Sequence, residues 1–67
     1  MQKKDVIAFF GTPTKTARCM RISHQAVYAW PDKLPDSVQF KVELVTKGAL
    51  KSDETLLMES LHNEQNN

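Results

Sequence analysis

The chain has 67 residues, 40% of them hydrophobic and 25% charged, which is enough for one small domain and excludes a disordered polypeptide. Its longest apolar run, Val6 to Phe10, is far too short to span a bilayer, and no secretory leader pattern occurs at the N-terminus, so a cytoplasmic protein is expected. The net charge of +1 conceals an imbalance: nine Lys and Arg stand against four acids through Lys51, and four acids stand alone beyond it, so the basic body can face phosphate.

Lys3 to Phe10 carries Val6, Ile7 and Phe10 at helical spacing and is followed by Gly11, which suits the left-handed position past a helix end; this predicts a first helix. Thr12 followed by Pro13 reads as an N-cap with proline at the first helical position, opening a second helix that runs to about Met20. Ser23 supplies another N-cap, and His24 to Trp30 forms a third short helix that Pro31 stops. The next segment reads in two ways. Val38, Phe40, Val42 and Leu44 alternate with polar residues as in a half-buried strand, whereas Val38, Val42 and Val45 make a helical stripe. Proline at the start and Gly48 just past the end favour a helix from Pro35 to Thr46. Ser52 can cap a last helix from Asp53 to about Leu61, with Leu57 and Leu61 on one face. The expectation is a single all-α domain over residues 1–61, built of about five short helices, with His62 to Asn67 a disordered polar tail.

The most informative stretch is Pro13 to Trp30. Two short helices that cross steeply need a small residue where they meet, and Ala17 provides it. Thr16, Met20, Ile22, Val27 and Trp30 fall inward, leaving Ser23, His24, Gln25, Tyr28 and Ala29 as an outward polar stripe with one aromatic. This division is that of a helix-turn-helix, in which the second helix offers its N-terminal residues to base edges in the major groove.

Here the sequence resembles a known family. The start KKDVIAFFGT, the element KTARCMRISHQAVYAW and the downstream LPDSVQFKVELVTKGALK look like the Cro repressors of lambdoid bacteriophages, in particular their all-helical branch. The resemblance covers residues 1 to about 58. It implies a dimeric, sequence-specific transcriptional repressor that occludes a promoter by occupying a palindromic operator through the helix 24–30. Some members of that family replace the C-terminal helices by a β-hairpin, so an α+β fold is the alternative. The family usually has glycine in the turn where this chain has Arg21; a left-handed arginine there costs on the order of 1 kcal/mol.

On such an operator Gln25 matches adenine N6 and N7 with one amide. Tyr28, one turn on, can pack on a thymine methyl or donate to a phosphate, its alternative place being a half-buried core site. His24 can donate to a base or phosphate, Ser23 can cap and touch phosphate, and Ala29 offers apolar contact to a thymine methyl. Thr14 and Lys15, near the start of the second helix, are placed to hold phosphate through side chain and backbone N–H, as are Lys33 and Lys41 through their side chains.

Other chemistries are weak. Cys19, His24 and His62 match no metal pattern, two glycines cannot build a nucleotide loop, and Cys19 reads as a small residue packed between helices, not as a nucleophile. No cofactor, small-molecule substrate or enzymatic activity is expected. With one cysteine there is no internal disulfide, so stability must come from packing or from a second subunit, and a homodimer is expected. A rival of another class is a helical protein-interaction module, such as a phage or toxin-system accessory protein, presenting Val38, Phe40, Leu44, Leu57 and Leu61 to a partner.

Overall fold

The computed structural model describes residues 1–65 and contains five helices: α1 (Lys3–Phe10), α2 (Pro13–Met20), α3 (His24–Ala29), α4 (Asp36–Val45) and α5 (Asp53–Gln65). The all-α expectation holds. Phe40 and Leu44, which a strand would have buried beside Val42, are exposed, so the β-hairpin alternative is discarded. The one extended pairing is an isolated antiparallel bridge between Gln2 and Lys33. No helix is long and apolar enough to cross a membrane, among the described residues.

Local signals set the first three helices. Gly11 ends α1 at φ 104° with its N–H on the Ile7 carbonyl at 2.7 Å, a conformation that a Cβ would strain. The Thr12 hydroxyl accepts from the Lys15 N–H at 3.0 Å, and Pro13 follows at the first helical position. Ser23 Oγ accepts from the Ala26 N–H at 3.1 Å. α3 stops one residue earlier than expected, at Ala29, with Trp30 as its cap.

Between α2 and α3, Arg21 adopts φ 57°, ψ 46°, the left-handed conformation that glycine would take freely. Its N–H donates to the Arg18 carbonyl at 3.2 Å and that of Ile22 to the Ala17 carbonyl at 3.0 Å, the paired bonds that close a helix through a left-handed residue. The turn thus keeps the geometry glycine would give and carries the strain instead. Arg21→Gly relieves about 1–2 kcal/mol of αL strain and loses part of it to a more flexible unfolded chain. The expected gain is roughly 0.5–1 kcal/mol, or about 3–7 °C in Tm, read by thermal unfolding; an unchanged or lower Tm would contradict it.

α2 is the hub, packing on α1, α3 and α4, while α5 packs on α4. The core joins Val6, Met20, Leu34 and Val42, flanked by Phe10, Ile22, Trp30, Val38 and Leu50. Ala17 and Val27 are buried, and the buried Thr16 returns its hydroxyl to the Thr12 carbonyl at 2.8 Å.

Two expectations need correction. Cys19 is exposed and does not pack between helices, because α2 already fills its inner face with Thr16, Ala17 and Met20. On α4, Val45 lies at the exposed edge, and the buried face is Gln39 and Val42 with Val38 half-buried. Gly48 lies just past the end of α4 as expected, at φ 83° with its N–H on the Glu43 carbonyl at 2.9 Å, and Lys47 before it is left-handed too, φ 54°, its N–H donating to the Leu44 carbonyl. The last helix is described through Gln65, past the expected end near Leu61, and residues 66–67 of the expected tail lie outside the described ones.

Polar side chains join the C-terminal half to the rest. Gln39, 1% exposed, donates to the Leu34 carbonyl at 2.8 Å and accepts from the Asp53 N–H at 2.8 Å. Ser52 caps α5 through the Thr55 N–H at 3.1 Å and gives its own N–H to Glu43 at 2.7 Å. That last bond is the main cause holding the Glu43 carboxyl below its ordinary value.

Candidate nucleic-acid interface

At 100° per residue, positions 24, 25, 28 and 29 of a helix share one side, and position 27 lies opposite. The structure follows this division. Val27 is fully buried, Ala26 is half-buried, and His24, Gln25, Tyr28 and Ala29 are exposed, with Ser23 exposed at the cap. Tyr28 is 65% exposed, which removes it from the core. The face is held from behind: Ala17, 3% exposed, lets α2 and α3 approach, and Ser23 fixes the first turn of α3.

Charge accumulates around this face. Residues 12–31 contain Lys15, Arg18 and Arg21 and no acid, and all three cations are exposed. None of them takes part in an ion pair among the described residues, where the pairs are Met1 ammonium with Asp53 and Lys51 with Glu59. Lys15 is among the residues expected at phosphate and Arg18 and Arg21 are not, although the absence of acids through the motif is a sequence signal that points to all three.

The four residues expected at phosphate are all exposed, yet their settings differ. Thr14 and Lys15 sit in the first turn of α2. The Lys15 N–H is taken by Thr12 Oγ1 and that of Thr16 by the Thr12 carbonyl, so Thr14 carries that turn's open backbone donor, among the described residues. Lys41 lines a shallow apolar hollow with Ile22, Ala26 and Trp30, which places it beside α3. Lys33 lies apart from this group. It bridges to Gln2, and its charge helps hold the Asp53 carboxyl below the ordinary value, an effect due foremost to the hydrogen bond from the Met1 ammonium.

No three His, Cys, Asp or Glu side chains converge to hold a metal ion among the described residues. The arrangement instead offers hydrogen-bond donors, acceptors and an aromatic on a rigid convex helix, bordered by unpaired cations. A protruding helix of this kind matches a groove and not an enclosed substrate.

This geometry defines a DNA-binding protein of the helix-turn-helix class. Comparison with known proteins gives the family: the model for "DNA-binding transcriptional regulator Cro" matches residues 2–60. The chain belongs to that family of phage P22-type Cro regulators. It is 44% identical over 54 residues to the regulatory protein cro of Salmonella phage P22, an alignment covering 81% of this chain and 88% of that protein. No solved structure matches.

Proposed function

We propose that this regulator is a repressor that binds a two-fold symmetric operator as a homodimer, each copy laying α3 in the major groove. The observation that carries this reading is the exposed stripe of Gln25 and Tyr28 on a helix whose opposite residue, Val27, is fully buried, bordered by cations that no acid neutralises. Gln25 pairs with adenine through N6 and N7, Tyr28 meets a thymine methyl or a phosphate, and His24 donates to a base or phosphate. Ser23 touches the backbone and Ala29 a thymine methyl. Thr14, Lys15 and Lys41 hold phosphates, and Lys33 does so from the turn before α4, in competition with Asp53.

Dimerisation is supported by apolar side chains that the monomer leaves uncovered: Phe40 and Leu44 on α4, and Leu56, Leu57, Met58 and Leu61 on α5. Burying such a face between two copies doubles the operator contacts, and the second half-site is then bound at high effective concentration. The protein works in the cytoplasm of a bacterial host, needs no cofactor or small-molecule substrate, and catalyses no reaction.

Titration onto random duplex DNA at rising salt tests the DNA reading against a protein-interaction module. Affinity is expected to fall steeply with salt; the absence of binding at low salt would contradict it. Lys15→Ala is expected to weaken all sequences about equally and to flatten the slope of log K against log salt by roughly one. An unaltered slope would remove Lys15 from the phosphate contacts.

A further inference from the structure

A six-residue helix such as α3 spans fewer than two turns, so most of its C-terminal carbonyls must find partners outside it. One of them, that of Tyr28, and the carbonyl of the cap residue Trp30 meet a side chain from the other end of the domain. Lys3 Nζ donates to the Tyr28 carbonyl at 3.0 Å and to the Trp30 carbonyl at 3.4 Å, placing a positive charge at the negative end of the helix dipole. The backbone around Lys3 holds the same place. The Lys3 N–H donates to the Asp32 carbonyl at 2.8 Å, the Leu34 N–H donates to the Met1 carbonyl at 3.3 Å, and Gln2 bridges to Lys33 between them.

We propose that Lys3 is a positioning residue for sequence recognition: its ammonium clamps the last turn of α3 and so fixes the direction in which Tyr28 leaves the helix. The proposal rests on α3 being the reading helix. The first turn of α3, with Gln25, is held independently by the Ser23 cap and by α2 packed behind it, so the two ends respond differently when the clamp is removed. Side chains that read bases tolerate only about 0.5 Å of displacement, and a fraying last turn exceeds that.

The test compares wild type with Lys3→Met and Lys3→Arg, using sites selected from a random duplex pool and affinities for the selected site and for random DNA across salt. Lys3→Met is expected to lose roughly five- to tenfold in affinity for the selected site and to relax preference at the base pairs read from Tyr28. The preference read from Gln25, the affinity for random DNA and the salt slope should stay as they are, and Lys3→Arg should restore most of the loss. Equal weakening on selected and random DNA, with the slope reduced by about one, would make Lys3 a phosphate contact and overturn the proposal. Unchanged affinity and preference would overturn it too. If wild type selects no site, base reading by α3 fails first and the clamp with it. Should Lys3→Met not fold, Lys3→Gln, whose shorter side chain stays polar but carries no charge, takes its place with the same outcomes.

Discussion

Gln39→Leu is expected to cost roughly 2–4 kcal/mol of folding stability, the largest effect of any single substitution considered for this domain. The amide is 1% exposed and has partners on both sides: it donates to the Leu34 carbonyl, accepts from the Asp53 N–H, and donates to Asp53 Oδ2 at 3.3 Å. Leucine fills a similar volume and removes all three bonds. The Leu34 carbonyl and Asp53 N–H then lose their partners, at about 1–3 kcal/mol for each such group that stays shielded from water. A chain of this length has about 3–10 kcal/mol in total, so the variant should be partly unfolded near body temperature. Urea unfolding monitored through Trp30 measures it. A midpoint equal to that of wild type would show that the amide does not join α4 to α5.

Gln25→Ala addresses function and leaves the fold alone, because the side chain is exposed and has no partner among the described residues. Its expected effect is a loss of about 1–3 kcal/mol on the cognate operator, which is roughly five- to 150-fold in affinity, with relaxed preference at one base pair of each half-site. Affinity for random DNA and the salt dependence should not change, since no phosphate contact is removed. Competition binding with operators carrying each of the four bases at that position gives the answer. A full preference profile in the variant would remove Gln25 from base reading.

The features legible in the sequence share a local cause. Caps act within three or four residues, so Thr12 with Pro13, Ser23, Ser52 and Gly11 marked helix ends that the structure reproduces. The outward face of α3 was legible because a helix with Val27 on one side must expose His24, Gln25 and Tyr28 on the other. Long-range partners left no such trace. Lys3 meets carbonyls 25 and 27 residues away, and Gln39 sits in an otherwise apolar stripe because Leu34 and Asp53 satisfy it from two different segments. Pattern alone would have turned Gln39 to solvent and Val45 inward; the hydrogen bonds rotate the buried face toward Gln39.

Cys19 and Lys47 illustrate two further limits. Small size suggested that Cys19 packs between helices, but Ala17 already occupies the crossing and Cys19 falls on the outer side of α2. Gly48 marked the end of α4 correctly to within a residue, yet the left-handed turn begins at Lys47. Arg21 shows the same tolerance between α2 and α3. In each case two backbone hydrogen bonds close the turn and hold a non-glycine residue in a conformation it disfavours. The helix-turn-helix geometry therefore survives without glycine in the turn, at a cost in stability and not in shape.

Operator recognition as proposed requires α3 to read bases from a symmetric pair of subunits. Repeated selection of bound duplexes from a random pool, followed by sequencing, tests this in one measurement. The expected result is an inverted repeat with half-site centres about one helical turn of DNA apart. Recovery of sequences with no shared site, or of a single unrepeated half-site, would contradict it.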